Sequence, residues 1–485
     1  MDSKYFKIFA FISLLFIAVV ISAAMRIDLF KTSENTSEEK ISLKAKNEIN
    51  RLFYEQKAIK LDSLLQDLAS KSYFNGNILV GYKGECIYNK SFGYSDLRNK
   101  KKLEKDDIFQ LASVSKQFTA MAIMILKEQN KLSYDDSVAQ YITDFPYPDI
   151  TIRMLLNHTS GLPNYMWLVE HHWKGAKAPY NDDILKLLAE HKLPLYFKPG
   201  RRWDYSNTGY IVLAGIVEKI SGQRFGDFMH QHIFEPLKME NSFIYSTALS
   251  NPKKDKLIGY QYRGRRYRMI PETVNDGAVG DKGVYSTAED LYKWDRALYE
   301  NTLVSSETFA EAISSFKLRD KYDIPYGFGF RISQRNNKKL AYHHGRWNGF
   351  RTSLMRYVED TNTVIVLNHT SSALNGTIIR KIQEVLYDSL STDITHLLVQ
   401  SVINHSSGKS VEDVLAENAS KSYTLDTLII KQASRILYDT NNPVAAEKLL
   451  MLNKKLKSAD MDSLHKTAKL SQVSVLQRKT GVIQF

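Results

Sequence analysis

The sequence predicts an α+β fold with an antiparallel sheet. Between Asn77 and Tyr94 two apolar runs flank Lys83-Gly84, which is typical of a β-hairpin. The middle of the chain carries apolar residues at helical spacing, and after Tyr326 short runs rich in β-branched and aromatic residues follow. Because strands occur on both sides of the helices, we expect one antiparallel sheet completed by both ends, flanked by helices and an all-helical subdomain.

The individual elements follow from local pattern. Residues Gln117 to Lys127 and Thr208 to Ile220 have the spacing of buried helices, and Gly222 is placed to end the second. A helix at Thr377 to Leu386 is expected to cover the late strands. Those strands are predicted at Gly327 to Ile332, Leu340 to His344, Arg351 to Val358 and Thr363 to Leu367. They indicate an antiparallel meander.

The chain of 485 residues is long enough for one large domain and an appendage. We place the main domain at 61–390 and a helical C-terminal extension at 391–485. The stretch 25–60 is interpreted as a linker, because Lys31 to Lys40 is rich in Ser, Thr, Glu and Lys.

The extension contains two amphipathic helical stretches, Leu425 to Tyr438 and Val444 to Leu456, and Pro443 is positioned to start the second. They resemble one tetratricopeptide-type helix pair. A lone pair cannot bury its own apolar face, so it must dock on something. A helical cap on the main domain is the preferred interpretation, and a protein partner is the alternative.

Composition limits the class of protein. Hydrophobic residues make up 43% and charged residues 25%, which argues against disorder and against a polytopic membrane protein. The net charge of +13 is scattered, so we expect a solvated basic surface or attraction to acidic polymers or anionic lipid, and no nucleic-acid partner. Cys86 is the single cysteine, which excludes an internal disulfide.

The N-terminus has the layout of an export signal. Lys4 and Lys7 precede an apolar run from Ile8 to Ala24 that ends in small residues. Two outcomes fit residues 1–24: cleavage after Ala24, or retention of residues 8–24 as a membrane anchor. Either outcome predicts an exported protein in the periplasm or outside the cell.

A candidate nucleophile opens the first buried helix. Ser113 and Lys116 lie three residues apart, so both project from one face of the first helical turn. A serine hydroxyl becomes a good nucleophile when a neighbouring group takes its proton, and a lysine of lowered pKa can do so. The helix N-terminus adds N–H groups that favour an anionic intermediate. The Ser-x-x-Lys pattern alone is weak, since the chain also has Ser37/Lys40, Ser250/Lys253, Ser314/Lys317, Ser406/Lys409 and Ser463/Lys466.

Two further motifs have a suitable context. Tyr205-Ser206-Asn207 follows Pro199-Gly200 and precedes a helix, so Tyr205 can relay a proton while Asn207 orients a substrate amide. The sequence from His343 to Arg346 lies on a predicted strand. Gly345 there lets the strand backbone approach a substrate, and the Arg346 N–H could form an oxyanion hole with that of Ser113.

The order Ser-x-x-Lys, Tyr-x-Asn, His-x-Gly resembles the serine β-lactamase and penicillin-binding protein superfamily, in particular the branch of class C β-lactamases, D-alanyl-D-alanine peptidases and related esterases. The resemblance covers about residues 65–390. Supporting segments are Leu155 to Leu162, Phe234 to Leu237 with Met239, and Thr287 to Leu291 with Trp294.

The resemblance implies a role for each motif residue. Ser113 would be acylated, Lys116 would be its proton partner, and Tyr205 would help to activate both Ser113 and the deacylating water. Asn207 would bind substrate and His343 would occupy the basic position of the third motif. Which of Lys116 and Tyr205 is the base is left open, since such a pair titrates as a unit.

One departure from the family pattern bears on the substrate. Where many β-lactamases have Lys-Thr-Gly, this chain has His343-His344-Gly345, which replaces a permanent positive charge. We therefore expect a peptidase or esterase rather than an efficient β-lactamase, with Arg346 as a partner for a substrate carboxylate. The expected substrate is a small molecule or peptide, such as a cell-wall peptide, and neither metal nor cofactor is expected. The alternative is an inactive module that binds cell-wall fragments or partner proteins.

Overall fold

The structure, a computed structural model, describes residues 41–72, 74–249, 255–263, 266–335, 337–387, 395–404, 411, 413–414 and 426–458. The predicted signal at 1–24 and the first part of the predicted linker lie outside these residues. The chain divides into two compact units, a main unit at Gln56–Tyr387 and a second formed by Met1–Glu55 with Asp388–Phe485. The sequence analysis placed the main domain at 61–390.

The strands in chain order are β1 Gly76–Tyr82, β2 Glu85–Phe92, β3 Tyr94–Asp96, β4 Lys101–Lys102, β5 Phe109–Gln110, β6 Phe243–Ile244, β7 Tyr260–Arg263, β8 Arg266–Met269, β9 Val284–Ser286, β10 Phe316–Leu318, β11 Tyr322–Ile324, β12 Arg331–Arg335, β13 Lys338–Trp347, β14 Phe350–Tyr357 and β15 Asn362–Asn368. The α-helices are α1 Leu43–Ser72, α2 Ser115–Glu128, α3 Ile152–Leu156, α4 Tyr165–His172, α5 Asn181–His191, α6 Asn207–Ser221, α7 Phe225–Met229, α8 Ala288–Glu300, α9 Ser306–Ala312, α10 Asn375–Leu386, α11 Thr395–Ile403, α12 Thr427–Asp439 and α13 Pro443–Ser458. A short 3-10 turn, Ala112–Val114, leads into α2.

A six-stranded antiparallel sheet organises the described part of the main unit, in the order β12-β13-β14-β15-β1-β2. The early hairpin and the late meander therefore meet where β1 pairs with β15. Lys83 and Gly84 both have positive φ, 50° and 84°, as a tight two-residue hairpin turn requires. The predicted α+β fold is confirmed.

One strand prediction is wrong in its bounds. The run Gly327 to Ile332 was expected to be a strand, but β12 begins only at Arg331. The residues before Arg331 form a loop that packs closely on its neighbours. A side chain at Gly327 would clash, since its Cβ would lie 2.0 Å from the Ala312 carbonyl oxygen, and Gly329 has a φ of 77°. The glycines serve close packing here and not strand pairing.

Two buried helices position the site. Helix α2 is buried from Ser115 to Leu126, and α6 is buried over most of its length. Helix α6 ends before Gly222, the residue predicted to stop it, which adopts a left-handed conformation. On the sheet, Arg356 Nε donates to Asp295 Oδ1 of α8 at 2.5 Å, so a buried ion pair joins the sheet to that helix.

The linker prediction for 25–60 is wrong from residue 43 onward, because α1 runs from Leu43 to Ser72. In the main unit, Leu61 and Leu65 of α1 are buried and Lys57 donates to the Val385 carbonyl oxygen at 3.0 Å. The Ser- and Thr-rich composition that suggested a linker ends at residue 40. The apolar residues that follow recur at helical spacing, which makes a helix with a buried face.

The second unit has its own small core. Helices α12 and α13 agree with the predicted helix pair and pack with α11 and the first part of α1. The buried residues are Ala45, Ile49, Phe53, Val399, Val402, Ile403, Ile429, Ile430, Ala433, Leu437, Ala445, Ala446 and Leu449. The predicted extension therefore includes a segment from before the main domain. Within the described residues, no helix combines the length and apolar character needed to span a bilayer.

Candidate active site

Ser113 lies in the middle of the 3-10 turn that opens α2. It is half-buried between two fully buried neighbours, Ala112 and Val114. Ala112 has a φ of 50°, a left-handed conformation that a residue with a Cβ seldom adopts. A hydrogen bond from the sheet holds the turn in place, since Thr352 Oγ1 of β14 donates to the Leu111 carbonyl oxygen at 2.6 Å. The hydroxyl of Ser113 is thereby held at the mouth of the helix.

Lys116 is fully buried and has three polar contacts. Its Nζ lies 3.4 Å from Ser113 Oγ, 2.8 Å from Asn207 Oδ1 and 2.8 Å from the Asp281 carbonyl oxygen. An ammonium donates to all three oxygens. A neutral amine donates to Asn207 and Asp281 and accepts from the Ser113 hydroxyl. The same arrangement therefore satisfies the hydrogen bonding of Lys116 in either protonation state.

Tyr205 and Asn207 both lie close to the Lys116 amine. Asn207 opens α6, and Tyr205 lies two residues before it. Asn207 is the first residue of the helix, which is capped by Ser206 Oγ accepting from the Gly209 N–H at 3.3 Å. The Tyr205 ring centroid lies 4.9 Å from Lys116 Nζ. The Tyr205 hydroxyl is buried and has no hydrogen-bond partner in the described part of the chain. It is thus available to a substrate or to a moving proton.

His158, to which the sequence analysis gave no individual role, holds the Tyr205 loop. Its Nδ1 accepts from the Ser206 N–H at 3.2 Å, and its carbonyl oxygen accepts from the Asp204 N–H at 3.0 Å. Its ring centroid lies 4.4 Å from that of Tyr205. Burial lowers the pKa of His158 well below its ordinary value, and the positive charge of Lys116 adds to this. His158 is therefore neutral, as its acceptor role at Nδ1 requires.

His343 is buried behind the site and has no free ring nitrogen. Nδ1 lies 2.7 Å from the His344 carbonyl oxygen, and Nε2 lies 3.2 Å from Tyr326 Oη. Burial and then the charge of Lys116 lower the pKa of His343 well below its ordinary value, so the ring is neutral. His343 was predicted to bind substrate. In the structure it supports Tyr326 and the wall behind Tyr205, at a ring distance of 6.0 Å from the latter.

Gly345 is required by the turn that carries Ser113. A Cβ at this position would lie 2.2 Å from the Leu111 carbonyl oxygen and 2.2 Å from Thr352 Oγ1. Gly345 was predicted to let the strand backbone approach a substrate, and this stays a prediction. The structure shows that the missing side chain also makes room for the turn that carries Ser113, which no single-sequence pattern could reveal.

The turn after β13 sets the direction of the Arg346 N–H. Asn348 and Gly349 both have positive φ, 38° and 86°, which gives a two-residue type I′ hairpin. The flanking pair, Trp347 and Phe350, exchanges hydrogen bonds in such a hairpin. The next pair does not, so the N–H of Arg346 points away from β14. This direction suits the predicted oxyanion role.

The outer edge of β13 is available at this point. In the described chain, β12 pairs with β13 only as far as Arg331 opposite Tyr342. Residues 343–347 therefore present main-chain N–H and C=O groups beside Ser113. An extended substrate can hydrogen-bond there as an added strand.

The Arg346 side chain does not join the Lys116 group. It is exposed on the face opposite to His343 and Gly345, directly across from Arg351 of β14. Burial and the neighbouring Arg346 charge lower the pKa of Arg351. A third guanidinium, which the sequence analysis missed, belongs to Arg331 and lies 5.5 Å from the Tyr205 ring centroid. The Arg331 guanidinium therefore places positive charge close to Tyr205.

Two cavities adjoin these residues. One of about 190 Å³ is lined by Tyr205, Ser206 and Asn207. A larger one of about 640 Å³ lies between Tyr285, Phe350 and the β7–β8 hairpin, and Ser113 is not among its lining residues. Over the described ranges, no group of three His, Cys, Asp or Glu side chains is arranged to hold a metal ion.

Known proteins are similar to this chain in sequence and in fold. The family model described as Beta-lactamase matches residues 61–385. The chain is 37% identical over 321 residues to penicillin-binding protein 4* of Bacillus subtilis, covering 64% of this chain and 71% of the relative. It is 25% identical over 302 residues to a D-aminopeptidase of Brucella canis, covering 61% and 57%. A penicillin-binding protein from Bacillus halodurans superposes with a TM-score of 0.58 at 26% identity, covering 66% and 98%.

The chain belongs to the Beta-lactamase family, a family of serine hydrolases. The predicted resemblance to the serine β-lactamase and penicillin-binding protein superfamily is confirmed.

Proposed function

We propose that this protein forms an acyl-enzyme on Ser113 and hydrolyses an amide, ester or β-lactam carbonyl. The observation that carries the proposal is the buried Lys116 amine, whose three partners are Ser113, Asn207 and Asp281. A buried amine with two fixed acceptors has its remaining position directed at the serine hydroxyl. This is the arrangement needed to remove a proton from the nucleophile.

The chain's own groups are sufficient for each step. Ser113 Oγ attacks the carbonyl carbon while its proton passes to the Lys116 and Tyr205 pair, and the N–H groups of Ser113 and Arg346 bind the oxyanion. The pair returns the proton to the leaving amine or alcohol as the carbonyl–heteroatom bond breaks. Water then attacks the ester on Ser113, gives up a proton to the same pair, and releases the acid product as the proton returns to Ser113 Oγ.

The preferred substrate is a short peptide or amide with a negatively charged end. The free edge of β13 suits an extended main chain. The Arg331 guanidinium lies 5.5 Å from the Tyr205 ring centroid, and Arg346 is exposed on the unpaired stretch of β13. Both favour a carboxylate over a neutral group. The names of relatives, a penicillin-binding protein and a D-aminopeptidase, agree with a peptide-like substrate.

Covalent labelling tests the proposal. A fluorescent penicillin and a fluorophosphonate probe are expected to label the wild type and Ser306→Ala, an exposed serine of α9, but not Ser113→Ala. Equal labelling of Ser113→Ala would assign the nucleophile elsewhere. No labelling of any form by either probe, together with binding of cell-wall fragments, would favour a binding module.

We further propose that the protein is exported to the periplasm or beyond, on the basis of Lys4, Lys7 and the apolar run from Ile8 to Ala24. Fractionation of cells that express the full chain and a form lacking residues 1–24 tests this. The proposal requires the shortened form to stay in the cytoplasm while the full chain leaves it. Extraction of the full chain by detergent but not by high salt would identify residues 8–24 as an anchor.

A further inference from the structure

A second buried lysine lies beside Lys116. Lys282 Nζ is 2.6 Å from Tyr165 Oη and 3.4 Å from Asp281 Oδ1, and its side chain is only 4% exposed. Its Nζ also lies 4.6 Å from the Trp347 ring centroid. A buried ion pair is expensive to desolvate and adds little net stability compared with apolar residues of the same size. Its presence next to the nucleophile therefore suggests a role in the reaction.

Residues 280–284 are fastened to the first turns of α2. The three bonds are Thr119 Oγ1 to the Gly280 carbonyl oxygen at 2.7 Å, Lys116 Nζ to the Asp281 carbonyl oxygen at 2.8 Å, and the Val284 N–H to Ser115 Oγ at 3.1 Å. Gly280 and Gly283 have φ values of 106° and 101°, which allow the tight turn between them. The turn directs the Asp281 carbonyl oxygen at Lys116.

Tyr165 and Lys282 hold the carboxylate of Asp281, while its carbonyl oxygen contacts Lys116. Tyr165 Oη donates to Asp281 Oδ2 at 3.2 Å and accepts from Lys282. The Tyr165 N–H donates to Thr208 Oγ1 at 3.0 Å, one residue beyond Asn207. The Lys282–Tyr165–Asp281 network thus connects Asp281 with the residue that follows Asn207, and both Asp281 and Asn207 accept hydrogen bonds from Lys116.

We propose that Lys282 is a positioning residue for acyl transfer, which holds Asp281 against Lys116 and neutralises the Asp281 carboxylate. This role rests on the proposed function of Ser113. Without the Lys282 charge, the carboxylate of Asp281 would keep the Tyr165 hydroxyl but lose its cationic partner. Since the carbonyl oxygen of the same residue lies 2.8 Å from Lys116 Nζ, this added negative charge would favour the ammonium form of Lys116, which cannot accept the Ser113 proton.

Charged and titratable groups surround both lysines. Those facing Lys282 are Asp281, Asp276, Tyr165 and Lys116. Those around Lys116 are Asp281, Tyr205, Tyr210, His158, His343 and Lys282. Burial lowers the pKa of Lys282, the carboxylates of Asp281 and Asp276 oppose that shift, and the charge of Lys116 adds to it. The two lysines are therefore electrostatically coupled.

The test is the pH profile of the rate at which a fluorophosphonate probe labels Ser113. Lys282→Met keeps the volume and removes the charge, and we expect the acid limb of its profile to move up by about one pH unit, with about tenfold slower labelling on that limb. Tyr165→Phe removes a single hydroxyl and should shift the limb in the same direction by less. Lys219→Met, an exposed lysine of α6 near Asp182, is the matched control.

The outcomes separate the two proposals. A wild type that is not labelled overturns the function of Ser113 and the role of Lys282 with it. A labelled wild type whose profile is unchanged in both Lys282→Met and Tyr165→Phe overturns the role of Lys282 alone. If Lys282→Met fails to fold, the Tyr165→Phe profile decides, since that variant keeps both charges of the network.

Discussion

Lys116 Nζ lies 2.8 Å from Asn207 Oδ1, although the two residues are 91 positions apart in the chain. This bond joins the Ser-x-x-Lys motif on α2 to the Tyr-x-Asn motif at the start of α6. It also fixes the amine relative to Ser113. The two motifs therefore form one hydrogen-bonded unit around the Lys116 amine.

The first prediction concerns that bond. Asn207→Ala should slow acylation of Ser113 about tenfold to hundredfold, because a hydrogen bond to a charged group contributes about 1.5–3 kcal/mol. The labelling rate of a fluorophosphonate probe measures this, with thermal unfolding as a check on the fold. Asn99→Ala, an exposed residue bonded to Asp96, is the control. A wild-type rate in Asn207→Ala would show that Lys116 needs no orientation from α6.

The second prediction concerns Gly345. In Gly345→Ala the new methyl group meets the Leu111 carbonyl oxygen and Thr352 Oγ1, so we expect loss of stability together with loss of Ser113 labelling. Gly376→Ala is the matched control, since a Cβ on that helical residue meets nothing within 4 Å and should raise the free energy of unfolding by about 0.5–1 kcal/mol. Urea denaturation measures both. Equal behaviour of the two variants would contradict the packing of β13 on the nucleophile turn.

The third prediction concerns the cross-strand pair of Arg346 and Arg351. Like charges directly opposite destabilise a sheet, so Arg346→Ala should raise the free energy of unfolding by about 0.2–1 kcal/mol. The same change should raise KM for a peptide with a free carboxylate by up to about fivefold, the value of an exposed ion pair. An uncharged ester and the Arg98→Ala variant serve as controls. An equal KM change for both substrates would exclude a carboxylate partner.

The fourth prediction concerns the pH dependence of stability. His158 and His343 are buried and neutral, with pKa values far below the ordinary 6.5. Below pH 6.5 the unfolded chain therefore binds protons that the native chain does not bind. The free energy of unfolding then rises with pH, and it falls by about 1.4 kcal/mol per histidine for each unit of acidification below that value.

Urea denaturation at about pH 7.5 and about pH 5.5 measures this loss. His343→Gln removes one of the two contributions, so the difference between the two pH values should shrink relative to the wild type. If His343→Gln keeps the full wild-type difference, His343 is not a buried neutral group in solution.

The local sequence pattern was sufficient to predict contacts between residues that lie close together in the chain. Ser113 and Lys116 were predicted to meet because they are three residues apart on a helix, and their contact is 3.4 Å. The Lys83-Gly84 hairpin was predictable for the same reason, since its turn chemistry is local.

The rest of the site depends on packing between distant segments. Asp281 contributes its main-chain carbonyl oxygen to the site. Any residue type could supply that group, so the sequence did not indicate that position 281 contacts Lys116. Lys282 resembled a surface lysine in sequence but is buried. His158 lay within a segment that had been noticed only for its resemblance to a family. Helix α1 was missed because the composition before residue 41 was extended to the residues that follow.

The uncovered edge of β13 also has a consequence for solubility. Exposed strand edges tend to pair with one another, and proteins limit this by keeping such edges short and charged. Here the open stretch is five residues, 343–347, and Arg346 projects from it as a permanent cation. Two copies that approach edge to edge would bring these cations together. Arg346, which we propose as a partner for a substrate carboxylate, thus also discourages self-association.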